Sequence, residues 1–286
     1  MENRVKIGFI GLGSMGFPMA IRLCEAGYKL LIAVHKNHEK VEKLKEKGAI
    51  IKESFKEVIL NSDIILTILP ADEQVKKVLL QEEVVDNLKE NQVLIEMTSC
   101  SPKTMKKIFD VYESKGVKVL DAPVSGGTEG AENGTLTLMI GGDANLVVDV
   151  SPILDKISIK KVVVGEAGAG KTVKMINQML ASIHMLAASE AFALAKQSNV
   201  DLQTLKDVIE TSSGNSWIFQ NKYANLMSEN FALGFRLRLM VKDINIALEE
   251  GGILELPLTN LTSNVYKMAL QDYGEMDISA VSKKVF

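Results

Sequence analysis

The sequence predicts an α/β protein: a mostly parallel sheet wound by helices on both faces, followed by an all-helical C-terminal part. Three observations carry this. Strand-like and helix-like runs alternate up to about residue 164. The strand runs are almost continuously aliphatic, as in strands covered on both faces. Strand signals then stop, and a stretch from Gly170 to about Gln197 runs on without a further Gly or any Pro.

In order, the strand runs are 5–10, 28–34, 64–69, 93–97 and 117–120, interleaved with helical patterns at 15–26, 38–47, 72–79 and 104–114. Ser101 before Pro102 reads as an N-cap and a first-turn proline. A strand at 135–140, a helix at 144–154 and a strand at 161–164 continue the pattern. Parallel strands with helical crossovers close most economically as a doubly wound sheet. The helix from 170 would be about 40 Å long, too long for a crossover. Further helices are expected at 201–211, 216–227, 241–251 and 258–273. The expected division is therefore 1–164 and 165–286, with the long helix linking the two domains and the site where they meet.

Gly11-Leu12-Gly13-Ser14-Met15-Gly16 follows the first strand directly and opens the first helix. Gly11 permits the tight turn, Gly13 admits a pyrophosphate close to the backbone, and Gly16 lets the helix pack on the sheet. Free N–H groups and the positive end of the helix dipole favour the anion. The pattern predicts a Rossmann-type dinucleotide site. A carboxylate at the end of the second strand would favour NAD; here stand His35, Lys36 and Asn37. Lys36 suits a phosphate, so NADP is the favoured cofactor, with NAD left open.

Bulk properties exclude several classes. The 286 residues carry 33 Lys and Arg against 36 Asp and Glu, a net charge of -3, which argues against a nucleic-acid partner. No apolar run approaches the roughly 18 residues needed to span a bilayer, and no leader segment fits before the first strand; a cytoplasmic protein with no membrane partner is expected. Two cysteines and three histidines offer no metal-ligand spacing, so the expected metal set is none. Residues 165–172 (GEAGAGKT) satisfy the nucleoside-triphosphate P-loop pattern. They stand, however, where the strand-bearing part ends, and a triphosphatase needs a further strand ending in an acid for Mg²⁺. A hinge at the start of the long helix is the better reading.

Four blocks in order resemble the β-hydroxyacid dehydrogenase family, which includes 3-hydroxyisobutyrate dehydrogenases and tartronate semialdehyde reductases. They are 8–20 (GFIGLGSMGFPMA), 121–127 (DAPVSGG), 168–177 (GAGKTVKMIN) and Lys242-Asp243. The resemblance implies a nicotinamide dinucleotide on an N-terminal Rossmann domain and a helical C-terminal domain through which dimers or tetramers form. It implies Lys174 as the catalytic lysine and Asn177 as a substrate-holding residue. Ser125, Gly126 and Gly127 would grip a substrate carboxylate, and Lys242 would approach the cofactor. Leu69, Pro70 and Thr98 resemble the loops near the nicotinamide. Where NADP-preferring members often carry Asn-Arg-Thr, His35-Lys36-Asn37 keeps a charge but loses the bidentate fork.

The residue types suit that chemistry. Passing a hydride between a nicotinamide and a small hydroxy acid or its semialdehyde also requires moving a proton. Without a metal, an ammonium beside the developing alkoxide is the natural substitute. Lys174 and Asn177 share a helix face, and Lys171 one turn earlier is expected to add a like charge that eases deprotonation of Lys174. Ser125-Gly126-Gly127 offers a hydroxyl and uncrowded N–H groups to a carboxylate. On spacing alone a solvated lysine and a plain turn stand beside these readings. Trp217 is open between core, subunit contact and substrate cap, and His184 reads as core or interface.

Overall fold

The computed structural model describes residues 5–34, 38–232 and 234–285. His35, Lys36 and Asn37, on which the cofactor preference rests, lie outside them. The chain divides into two compact units, Met1–Lys174 and Met175–Phe286.

In the first unit, β1 (Lys6–Ile10), β2 (Lys29–Ala33), β3 (Ile50–Lys52), β4 (Ile64–Thr67), β5 (Val93–Glu96) and β6 (Lys118–Asp121) are parallel, in the order β3-β2-β1-β4-β5-β6. β7 (Val124–Ser125) and β6 both pair antiparallel with β8 (Leu136–Gly141), and β9 (Ser158–Gly165) pairs parallel with β8. The helices between them are α1 (Gly16–Glu25), α2 (His38–Glu46), α3 (Phe55–Leu60), α4 (Asp72–Leu79), α5 (Glu82–Val85), α6 (Pro102–Glu113), α7 (Gly127–Asn133) and α8 (Ala144–Leu154).

The aliphatic strands have two cores to fill. Ile7, Phe9, Leu30, Ile32, Leu66, Ile95 and Leu120 point into one. Ile10, Leu31, Ile65, Leu94 and Val119 alternate into the other. Each fully buried aliphatic side chain contributes about 1.5–3 kcal/mol. The Ser101 hydroxyl caps α6 by accepting from Thr104 N, with Pro102 in the first turn.

α9 (Ala169–Gln197) carries the chain from the first unit into the second. There α10 (Leu202–Glu210), α11 (Trp217–Ser228), α12 (Leu237–Gly251), α13 (Pro257–Tyr273) and a terminal 3₁₀ helix, Ile278–Lys284, surround Met185, Phe192, Tyr223, Ile244 and Tyr266. Buried Asp277 fastens this unit: it accepts from Lys222 Nζ at 2.7 Å, Phe235 N at 2.9 Å and Ser279 N at 3.0 Å.

The fold class is the predicted one, with local departures. β3 and α3 escape the pattern because one is three residues long and the other six. α7 holds Gly127 and Gly130, poor helix formers, so it reads as a turn. α12 begins at Leu237 rather than 241 because Arg236, at its N-cap, gives no side-chain cap to read. His184 is exposed rather than core, and Trp217 is 60% exposed. Among the described residues no helix is long and apolar enough to cross a membrane.

Candidate active site

The parallel strands bring the candidate residues of the first unit to one edge. Ile10, Thr67, Glu96 and Asp121 are register partners at the carboxyl ends of β1, β4, β5 and β6. The loops that follow carry Gly11 to Gly16, Leu69 and Pro70, Thr98, and Ser125 to Gly127. The strand order reverses between β1 and β4, where open α/β sheets form their ligand crevice.

The three glycines of the first loop play separate roles. Gly11 sits at φ +111°, and a Cβ there would overlap the carbonyl oxygen of Ile68. A Cβ at Gly16 would overlap the Gly11 carbonyl oxygen. Gly13 is different: a Cβ there would meet nothing within 4 Å. Packing therefore explains Gly11 and Gly16 but not Gly13, whose open side is the space a pyrophosphate needs. Met15 gives α1 no side-chain cap, and its first turn holds no acid that would repel an anion. These residues fit a dinucleotide.

Sequence reasoning missed Lys40. From α2 its ammonium donates to Leu12 O at 3.3 Å and Gly13 O at 3.1 Å, and it lies 5.1 Å from the centre of the Phe17 ring. A cation thus stands on the glycine loop itself. The available signal was a lysine in the first turn of the helix after β2, where a phosphate would be met.

On the neighbouring loops, Leu69 N donates to Thr98 Oγ1 at 2.8 Å, so these two predicted residues do meet. Thr98 is fully buried; its hydroxyl shapes the loop. The P-loop-like segment is occupied from within. Asp121 accepts from Gly168 N at 2.7 Å and from Lys171 N at 2.8 Å. The Lys171 ammonium donates to Glu96 O at 2.7 Å and Thr98 O at 2.8 Å, and pairs with Glu96 Oε2 at 2.5 Å. Two backbone donors and the lysine that a triphosphate would need are already bound to carboxylates and carbonyls.

This corrects one expectation: Lys171 does not stand beside Lys174 as an uncompensated like charge. Burial works against its charge, but Glu96, assisted by Cys100 and Asp121, outweighs burial and holds the ammonium above the ordinary lysine value. Burial pushes the Asp121 carboxyl up, against the pull of Lys171 and the two N–H groups.

Lys174 follows one turn later on α9 and is 8% exposed. Ser125 ends β7, and Gly126 and Gly127 follow at φ +131° and +65°, both exposed. A Cβ at Gly127 would also meet nothing within 4 Å.

The second unit links two other candidates. Asn177 Nδ2 donates to Gln178 Oε1 at 3.1 Å, and Gln178 Nε2 donates to Asp243 Oδ2 at 2.8 Å. Asp243 Oδ1 pairs with Lys242 Nζ at 2.9 Å. Gln178 and Asp243 are buried. Asp243 thus orients its neighbour Lys242 and, through Gln178, the amide of Asn177.

Comparison with known proteins shows the family. Residues 6–165 match the family described as the NAD binding domain of 6-phosphogluconate dehydrogenase. Residues 168–285 match the one described as NAD-binding of NADP-dependent 3-hydroxyisobutyrate dehydrogenase. The chain is 37% identical to 2-(hydroxymethyl)glutarate dehydrogenase of Eubacterium barkeri, over 99% of this chain and 95% of that protein. It is 32% identical to 3-hydroxyisobutyrate dehydrogenase of Pseudomonas aeruginosa, over 97% of each. The solved 3-hydroxyisobutyrate dehydrogenase of Mycobacterium tuberculosis with L-serine superposes with a TM-score of 0.89 at 29% identity, covering 98% of this chain and 99% of that one. With an open glycine loop at the switch point of a Rossmann sheet and relatives along its whole length, the chain belongs to the β-hydroxyacid dehydrogenase family and is an NAD(P)-dependent oxidoreductase of hydroxy acids.

Proposed function

We propose that the protein interconverts a small 3-hydroxy acid of the 3-hydroxyisobutyrate type and its semialdehyde, with NADP as the preferred cofactor. The observation that carries the cofactor class is the open side of Gly13 beside an uncapped helix start. Lys40 of α2, whose ammonium reaches the same loop, supports the extra phosphate of NADP, as does Lys36 in the sequence. The proposed cofactor residues are Gly11 to Gly16, His35, Lys36, Asn37, Leu69, Pro70, Thr98 and Lys242. The domain division proposed is 1–164 for the dinucleotide and 165–286 for substrate and assembly.

The bound dinucleotide supplies or accepts the hydride. The chain's own residues do the rest. Lys174 Nζ gives a proton to the carbonyl oxygen on reduction and takes it back on oxidation, which general acid–base catalysis makes worth about 10²–10⁴ in rate. Ser125, Gly126 and Gly127 hold the substrate carboxylate with a hydroxyl and N–H groups, the exposed glycines leaving room for it. Asn177 orients the reacting oxygen, its amide set by Gln178.

A second reading, a longer dicarboxylic substrate, is favoured by the Eubacterium barkeri relative. Glyoxylate and the semialdehydes of succinate and tartronate are further candidate substrates for the same chemistry. Self-association as a dimer or tetramer in the cytoplasm completes the proposal. Val173, Ile176 and Leu180 lie exposed along α9 at three- and four-residue spacing, the pattern of a helix seam awaiting a partner. The test follows oxidation of NADPH and NADH with a panel of short semialdehydes. The proposal expects highest kcat/KM with NADPH and a four-carbon semialdehyde acid. Activity restricted to dicarboxylic semialdehydes selects the second reading, and turnover with neither cofactor refutes both.

A further inference from the structure

We infer that Lys171 and Glu96 form a positioning pair, which sets the first turn of α9, and with it Lys174, against the loop that carries Thr98. The inference rests on the reading of Lys174 as the proton-transferring group. It concerns a lysine that the proposed reaction does not otherwise use.

The pair is built without slack. An ammonium has three protons, and Lys171 Nζ has three acceptors: Glu96 Oε2, Glu96 O and Thr98 O, at 2.5, 2.7 and 2.8 Å. Glu96 is equally engaged. Its Oε1 accepts from Thr98 N at 3.0 Å and from Thr67 Oγ1 at 3.3 Å, and its Oε2 also faces Cys100 Sγ at 3.6 Å. Neither side chain of the pair is exposed to solvent. Lys171 is held at its other end as well, its N–H on Asp121. Beside it, a Cβ on Gly170 would overlap the Met139 carbonyl oxygen, so the helix start lies flush on the strand ends.

A buried ion pair is a poor choice for stability alone, because apolar residues of similar volume often serve as well or better. What three directed bonds add is a fixed position. Lys174 lies three residues on, about 4.5 Å along the helix axis, so any rotation or slide of the first turn moves its ammonium too. Misplacement of a reacting group by about 1 Å can lower a rate about 10²-fold. One pair thus registers the proton donor against Thr98, whose hydroxyl holds Leu69 N.

The test compares Lys171→Met, Glu96→Gln, the double variant Lys171→Met/Glu96→Gln, and Glu96→Asp, with Lys174→Ala as control. Thermal midpoint, kcat, and KM for dinucleotide and substrate are measured for each. Each of the first two single variants leaves a buried partner unmatched and should lower the midpoint. The double variant removes both charges and should regain most of the midpoint. Its kcat should stay at least about tenfold below wild type while KM for the dinucleotide stays within about twofold. Glu96→Asp keeps the charge but shortens the reach by one methylene, and should lose kcat in the same way if the double variant does not fold. A double variant, or Glu96→Asp, with wild-type kcat would overturn the inference and leave the pair as structural support. Full turnover by Lys174→Ala would instead remove the catalytic reading and the inference with it.

Discussion

The glycine-rich turns at 11–16 and 165–170 each follow a strand and open a helix, and they differ in what occupies them. In the first, a Cβ at Gly13 would meet nothing within 4 Å, and the uncapped start of α1 lies beside it. In the second, Asp121 takes Gly168 N and Lys171 N, and Glu96 takes the lysine head. A phosphate-binding pattern describes a backbone able to bind an anion. Whether the anion is a ligand or the protein's own carboxylate depends on residues far away in sequence. The filled turn is the footing of the helix that carries Lys174.

The largest expected effect breaks the filled turn. Asp121→Ala strands two buried N–H groups and removes a charge that Lys171 faces, and should cost about 3–5 kcal/mol, read by urea unfolding. A loss below about 1 kcal/mol would mean that Asp121 is not what holds the turn. Next is Gly11→Ala, which forces a side chain into positive φ and against Ile68 O; a stability loss of at least about 1–3 kcal/mol is expected. Smallest in stability, and sharpest for the comparison, is Gly13→Ala. With open space around the added methyl, unfolding should shift by no more than about 0.5 kcal/mol. The Kd for the dinucleotide, measured by fluorescence titration, should nonetheless rise about tenfold, or roughly 1.4 kcal/mol. Unchanged affinity would show that the open side of the first turn is not where the pyrophosphate sits.

Much of the fold was legible because burial on both faces forces β1, β2, β4 and β5 into aliphatic runs, and because α9 is long and free of breakers. The short elements β3 and α3 were not, since a few residues hold too little periodicity to register. At the proposed site, the glycine loop is read from spacing, and the assignment of Lys174 and Asn177 rests on the resemblance of their block to a family motif. The role of Lys171 was misread as an added like charge on the face of Lys174. Its true partners, Glu96 and Asp121, end two strands 75 and 50 residues earlier. Local periodicity shows them only as acids closing aliphatic runs; parallel register is what sets them side by side. Lys40 was passed over for a related reason: its place in the first turn of α2 is visible in the sequence, but α2 also carries Lys43 and Lys45, and only the tertiary fold turns Lys40 back onto the glycine loop.

The most direct test is a single-turnover experiment with Lys174→Ala, mixing the variant with NADPH and a short semialdehyde and following loss of the reduced cofactor. The account predicts wild-type dinucleotide binding with hydride transfer slowed by about 10²–10⁴. Hydride transfer at the wild-type rate, with binding intact, would contradict it.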